Sequence, residues 1–246
     1  MDKIQTLLDF LQIPLGDSNA VLKKFASLPG AIRRGQGASQ FVFIKGTRQD
    51  RVLLLAHADT VWDSMDPYII QKPDLYINKG IVTNKSGGLG ADDRAGCAIV
   101  WALRDMGHSI LITNGEEYGG VGSDWLMDCN PDIRDEINTN CSFAVELDRC
   151  NDKDFKCYSV GTDAFREYII KETGYSEPNR NSFTDIVTIC EHICGVNLSV
   201  GYYNEHTDNE YLDIDAWENT LRICRKWLKK KLPKFELTEE AYDEQV

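Results

Sequence analysis

Apolar residues recur along this chain in two alternating rhythms, and together they predict an α/β fold. Residues 1–30 carry helical spacing twice, in IQTLLDFL and AVLKKFA, with Pro14, Leu15 and Gly16 between them. Ser18 is positioned to cap the second helix, and Pro29-Gly30 to end it. FVFIK (41–45) and RVLLLAHAD (51–59) read as strands joined by a polar turn. The second is almost wholly apolar up to His57, the pattern of a central strand covered on both faces. Residues 64–90 show no period and end in the Gly-rich KSGGLGADD.

From Asp93 the helical spacing returns in DRAGCAIVWALRDMG. A strand (SILITNG, 109–115), a short helix around VGSDWLMD and a strand (CSFAVELD, 141–148) follow. DAFREYIIKET and SFTDIVTICEHICG read as helices, and VNLSVGY (196–202) as a strand. A closing helix is expected over 208–231, its basic end RKWLKKK suiting a helix C-terminus. This order predicts one domain over 1–246, with N-terminal helices in 1–35 and a mobile acidic tail in 234–246. Its three layers place a mixed, mostly parallel central sheet between helices.

Composition narrows the function classes. Hydrophobic residues make up 42% of the 246 and charged residues 27%, enough for a sizeable core. The net charge of −12 argues against nucleic acid as a partner, since phosphate binding needs clustered Lys and Arg. No run approaches the roughly 18 apolar residues of a membrane span, and the N-terminus has no signal-type apolar segment. The expectation is a soluble cytoplasmic protein without a membrane partner. Eight cysteines without a CxxC pair read as buried free thiols; Cys190 and Cys194, flanking His192, are assigned to core packing.

Chemistry-bearing residues gather at one kind of place. His57 and Asp59 end one expected strand, and Glu116 and Glu117 follow another. Asp148 ends a third, His206 lies beyond a fourth, and Asp92 and Asp93 precede a helix. Sites in open α/β sheets form outside the carboxyl ends of strands. His57-Ala-Asp59 has period two, so both side chains can face one way, and a carboxylate beside a ligating imidazole fixes its tautomer. Taken singly, each group also reads as a loop, cap or turn residue. Together, the residue types suit a hard or borderline cation.

Five blocks in order, LLLAHADTVWD, GGLGADDRAG, TNGEEYGGVGS, FAVELDR and YYNEHTDNEYL, resemble the signature blocks of the co-catalytic zinc exopeptidase superfamily, which includes aminopeptidases, tripeptidases, carboxypeptidases and deacylases. The resemblance spans residues 51 to 215. It implies two divalent metal ions, zinc first, with cobalt or manganese as alternatives. His57 and Asp148 would hold one ion, Glu117 and His206 the other, and Asp92 would bridge, with Asp93 as runner-up. Glu116 would be the general base and Asp59 the carboxylate behind His57. Glu210 falls in a His-Thr-x-x-Glu pattern and would stand behind the ligands. Arg149, Asp185 and Tyr203 lie near the blocks as candidate substrate contacts.

Only 57 residues separate Asp148 from His206, too few for the lid domain many relatives carry there. The resemblance then implies a lidless, aminopeptidase-type exopeptidase acting on short peptides, with a homo-oligomer allowed. The alternatives are an amidohydrolase or deacylase of N-acyl amino acids, and a catalytically silent binding protein on the same fold.

Overall fold

The computed structural model describes residues 2–65, 72–178 and 184–237. Helices α1 (Lys3–Leu11) and α2 (Ser18–Ala26) lead into β1 (Ala31–Gln36), β2 (Ser39–Ile44), β3 (Leu53–His57) and α3 (Val61–Met65). Next come β4 (Leu75–Asn78), β5 (Ile81–Asn84), α4 (Ala91–Leu103), β6 (Ser109–Thr113), α5 (Val121–Cys129) and α6 (Pro131–Asn140). The chain continues with β7 (Ala144–Arg149), β8 (Phe155–Lys156), α7 (Asp163–Thr173) and α8 (Asp185–Ile189). It closes with β9 (Gly195–Ser199), β10 (Tyr202–Tyr203), β11 (Tyr211–Asp213) and α9 (Ile214–Trp227).

Strand order in the seven-stranded sheet is β1-β2-β6-β3-β7-β9-β8. The four central strands β6, β3, β7 and β9 are parallel; β2 and β8 run antiparallel to them, and β1 pairs antiparallel with β2 at the edge. Every residue of β3, β6 and β9 is buried, which is why those segments read as apolar runs. Helix α4 packs on β3 and β7 and is itself met by α1 and α9; α5 packs on β2 and α8 on β9. A second, antiparallel sheet, β10-β11-β5-β4, connects the loop after β9 to the loop before α4. No helix among the described residues is long and apolar enough to cross a membrane.

Several local expectations are corrected. Asp17, not Ser18, caps α2, its carboxylate accepting from the Ala20 amide at 3.0 Å. Residues 31–35 belong to an edge strand, because β1 folds back on β2 through a two-residue turn at Gly37-Ala38. Residues 72–90 are not irregular throughout. Lys79 and Gly80, at φ 49° and 82°, make the left-handed two-residue turn that joins β4 to β5. Residues 66–71 lie outside the described set. Helix α6, with Pro131 in its first turn, had no counterpart among the expected elements.

The helix expected over 182–195 is confined to Asp185–Ile189, with residues 182–183 outside the described set. Asn138 Oδ1 accepts the Glu191 and His192 amides, turning the chain toward β9. Cys190 and Cys194 are buried in the core even so. The closing helix is Ile214–Trp227, since 211–213 pair with β5 instead. The segment after Pro233 is docked rather than free: the Phe235 amide bonds Ser142 O at 2.9 Å, and its ring packs 5.0 Å from Phe165. Residues 238–246 lie outside the described set.

One glycine decides how closely α4 approaches the sheet. A Cβ on Gly96 would lie 1.7 Å from the Leu147 carbonyl and 2.3 Å from Asp93 Oδ1. Alanine in an ordinary helix interior gains about 1 kcal/mol over glycine. Here overpacking reverses the sign, so Gly96→Ala is expected to lower unfolding free energy by about 1–3 kcal/mol in a urea titration. A variant as stable as the parent would mean that this close approach does not constrain α4.

Candidate metal centre

Two histidines face one carboxylate from opposite sides. Asp92 Oδ1 lies 3.1 Å from His57 Nε2, and Asp92 Oδ2 lies 3.1 Å from His206 Nε2. His57, Asp92 and Glu117 offer ligand atoms all within 4.8 Å of one another. His206 Nε2 also lies 3.1 Å from Glu117 Oε2, and His57 Nε2 lies 3.4 Å from Asp148 Oδ1. The five residues expected to hold metal are therefore brought together, with Asp92 between two pairs. Glu116 Oε2 stands 4.0 Å from His57 Nε2, beside the cluster.

Asp92 is free for this position because Asp93 does the helix-end work. Both residues depart from helical φ/ψ, and the peptide bond between them is cis. Asp93 Oδ1 accepts the Gly96 amide at 3.0 Å, as an N-cap carboxylate does, and Oδ2 accepts the His57 amide at 3.1 Å. His57, Asp93 and Asp148 also offer atoms within 4.8 Å of one another. Both Asp93 oxygens are already engaged by backbone, whereas those of Asp92 face imidazoles.

The loop before α4 is held from far along the chain. Glu210 Oε2 accepts the Leu89 and Gly90 amides at 2.9 and 2.6 Å, and Oε1 accepts the Asp92 amide at 3.1 Å. Burial pushes Glu210 up to about 7, although those three donors pull it down. Asp59 plays a matching part for the loop after β6. Its Oδ1 accepts from Gly115 (2.8 Å) and Glu116 (3.3 Å), and its Oδ2 from Glu117 (3.2 Å). Asp59 Oδ1 also lies 3.5 Å from His57 Nδ1, so one carboxylate orients a histidine and two glutamates. His206 itself sits at φ 64°, a left-handed conformation uncommon outside glycine.

Asp148 is gripped on every side. Tyr202 OH donates to its Oδ1 and Thr184 Oγ1 to its Oδ2, each at 3.2 Å, and the Asn197 side chain clamps its backbone N–H and C=O. None of these three partners was singled out in the sequence. Only Asn197 breaks an apolar strand enough to have drawn notice. Glu146, two residues before Asp148 on the same face of β7, was also missed; it is buried and its Oε2 has no hydrogen-bond partner among the described residues.

The charge balance of the cluster is uneven. Burial works against the His57 imidazolium, but Asp148, Asp59 and Asp92 outweigh it and raise its pKa well above the ordinary value. Hydrogen bonds to Asp92 and Glu117 push His206 up to about 11. Burial acts to raise Asp92 too, yet the two histidines hold it well below the usual carboxylate range. Burial lifts Asp148 to about 7 and Glu116 to about 10, and like charges nearby add to both shifts. These carboxylates outnumber the imidazoles, so without further positive charge several must carry protons.

The residues present fit divalent metal. Imidazole nitrogens and carboxylate oxygens are the donors that zinc, cobalt and manganese accept. Glu117 supplies an observation of its own: its Oε1 is buried and has no hydrogen-bond partner among the described residues. The other two histidines are elsewhere. His108 is buried between the Val52 amide and the Leu228 carbonyl, and His192 lies at the turn after α8.

Beside the cluster opens a cavity of about 190 Å³, lined by Asp92, Glu116, Asp148, Arg149, Glu205 and His206 among others. Of the candidate substrate contacts, Arg149 lines it, while Asp185 and Tyr203 do not. Asp185 is buried and held by Thr113 Oγ1 and by Ser123 Oγ at 2.6 Å. Tyr203 stacks on Tyr211 at 4.9 Å.

No protein-family model and no curated protein matches this chain. Solved structures share its fold. Aminopeptidase PepT from Bacillus cereus superposes with a TM-score of 0.65 at 13% identity, covering 92% of this chain and 97% of that one. A tripeptidase from Staphylococcus aureus gives 0.65 at 14% identity, with 93% and 98% covered. The TET1 peptidase of Pyrococcus horikoshii, which assembles into a tetrahedron or an octahedral shell, gives 0.62 at 13% identity, with 90% and 98% covered. At these identities the likeness establishes the fold: an α/β architecture whose mixed seven-stranded sheet is flanked by helices, with no lid among the described residues.

Proposed function

We propose that this chain is a metal-dependent exopeptidase of the co-catalytic zinc superfamily, releasing the N-terminal residue of short peptides with Glu116 as general base. The single observation carrying the reading is the Asp92 carboxylate, which offers one oxygen to each of two histidines at 3.1 Å. The aminopeptidase and tripeptidase folds of its structural neighbours support it. A homo-oligomer belongs with the reading, because the TET1 neighbour assembles into shells.

His57 and Asp148 would hold one cation and Glu117 and His206 the other, with Asp92 shared between them. Bound divalent metal would supply Lewis acidity, polarising the scissile carbonyl and lowering the pKa of the attacking water. Glu116 takes that water's proton and returns it to the leaving amine. Adjacent Glu116 and Glu117 divide the work: Glu117 Oε2 lies against His206, while Glu116 stands off at 4.0 Å from His57. Burial and neighbouring carboxylates raise Glu116 to about 10, so without cations it holds a proton, and positive charge bound beside it would free it to act as the base. Asp59 fixes the loop that carries both, so base and ligand keep a constant separation.

A panel of aminoacyl-nitroanilides and N-acetyl amino acids, run with zinc, cobalt and manganese, tests the activity. Cleavage of the nitroanilides is expected. Cleavage of the N-acyl set alone makes the chain a deacylase, and no cleavage of either leaves a silent binding protein. Glu116→Gln is expected to retain its metal and lose about 10²–10⁴-fold in kcat; near-normal turnover removes Glu116 as the base. Asp92→Ala is expected to lower metal content at both sites by elemental analysis, and full retention of two ions moves the bridge to Asp93.

A further inference from the structure

Arg149 lines the cavity beside the cluster, and among the described residues no partner answers its charge. Arg149, at the end of β7, is only 5% exposed. Its Nε is buried without a hydrogen-bond partner, and among the described residues its side chain makes no hydrogen bond or ion pair. The other buried arginines also leave Nε unpartnered, but their terminal nitrogens are engaged. Arg94 donates to the Ala58 carbonyl, and Arg51 pairs with Glu136 at 2.5 Å. Glu205 lines the same cavity and still does not pair with Arg149. Arginine is almost never fully buried unless paired, because desolvating a guanidinium costs several kcal/mol.

We infer that Arg149 anchors a carboxylate of the substrate. A guanidinium presents a planar fork of donors that matches a carboxylate two bonds at a time. Arg149 lines the same cavity as Glu116, Asp92 and Asp148, so a group anchored there lies near the bond that is cut. The cavity, about 190 Å³, has room for a small residue beside Arg149. The substrate class is therefore a short peptide bearing a carboxylate about one residue from the scissile bond. That carboxylate is either the C-terminus of a dipeptide or an acidic side chain. The inference rests on the proposed peptidase activity for the position of the bond, and on the unpaired guanidinium for the anchor.

The test uses the full chain loaded with zinc and matched pairs of substrates. Ala-Ala against Ala-Ala amide probes a terminal carboxylate. Ala-Glu amide against Ala-Gln amide, and Glu-Ala amide against Gln-Ala amide, probe a side chain on either side of the bond. In at least one pair the carboxylate form is expected to be preferred in kcat/KM on the order of 100-fold, mainly through KM. Arg149→Met should bring that ratio close to one, and Arg149→Lys should restore part of it. An unchanged ratio in Arg149→Met overturns the anchor. So does cleavage without a carboxylate preference in any pair, which leaves the peptidase reading standing.

The same peptides titrated calorimetrically into Glu116→Gln protein, with and without Arg149→Met, separate the two ideas. Arg149-dependent carboxylate binding without hydrolysis by the parent upholds the anchor and overturns the peptidase. The absence of any carboxylate preference in binding overturns the anchor. A structural role would appear in the melt: removing an unpaired buried charge should leave the thermal midpoint equal or higher, and a marked fall would also overturn the inference.

Discussion

One shared carboxylate organises this molecule. Asp92 must present an oxygen to His57 and another to His206, and those histidines come from different sheets. Its side chain cannot also serve the helix it precedes, and Asp93 takes over that duty with the Gly96 amide. Its backbone cannot drift, and Glu210 holds three amides of the loop from 118, 120 and 121 residues away in sequence. Each support is a carboxylate buried to hold backbone N–H groups, an arrangement that fixes geometry well because each of its oxygens accepts at least one of them.

The same economy of position creates an electrostatic load. Asp93, Glu116, Glu146, Asp148 and Glu210 are all raised by burial, and the first four crowd one another as like charges. Two imidazoles cannot neutralise them. A folded chain with this site therefore favours either protons or cations in it, and whichever binds more tightly to the folded than to the unfolded chain stabilises the fold. Part of the net charge of −12 belongs here and not to the solvated surface.

How much of this was legible depended on whether a feature was local. The central strands were readable because β3 and β6 are apolar on both faces. The gathering of the cluster was readable because His57, Glu116, Glu117 and Asp148 lie at strand ends or just after them, where the parallel sheet brings them together. The β4–β5 hairpin was hidden because its turn, Lys79-Gly80, lacks the usual Asn-Gly or Asp-Gly signal. The helix read through 182–195 failed because Cys190 and Cys194 keep helical spacing while Asn138, from another helix, turns the backbone. Asp92 and Asp93 could not be told apart by position; which of them caps α4 is a tertiary fact. The isolation of Arg149 was invisible for a deeper reason, since a missing partner is a property of neighbours that no local pattern records.

The two sheets explain why the centre lies where it does. The large sheet delivers His57, Glu116, Glu117 and Asp148 from the carboxyl ends of adjacent strands or the turns after them, in fixed register. The small sheet delivers His206 between β10 and β11, and the pairing of β11 with β5 ties that turn to the strand leading into the Asp92 loop. His206 and Asp92 are thus set by one hairpin system, and His57 and Asp148 by another. A centre assembled on one sheet would have all its ligands on a single rigid body. A centre on the seam between two has its halves joined by Asp92, so any ion held there also fastens the small sheet to the large one.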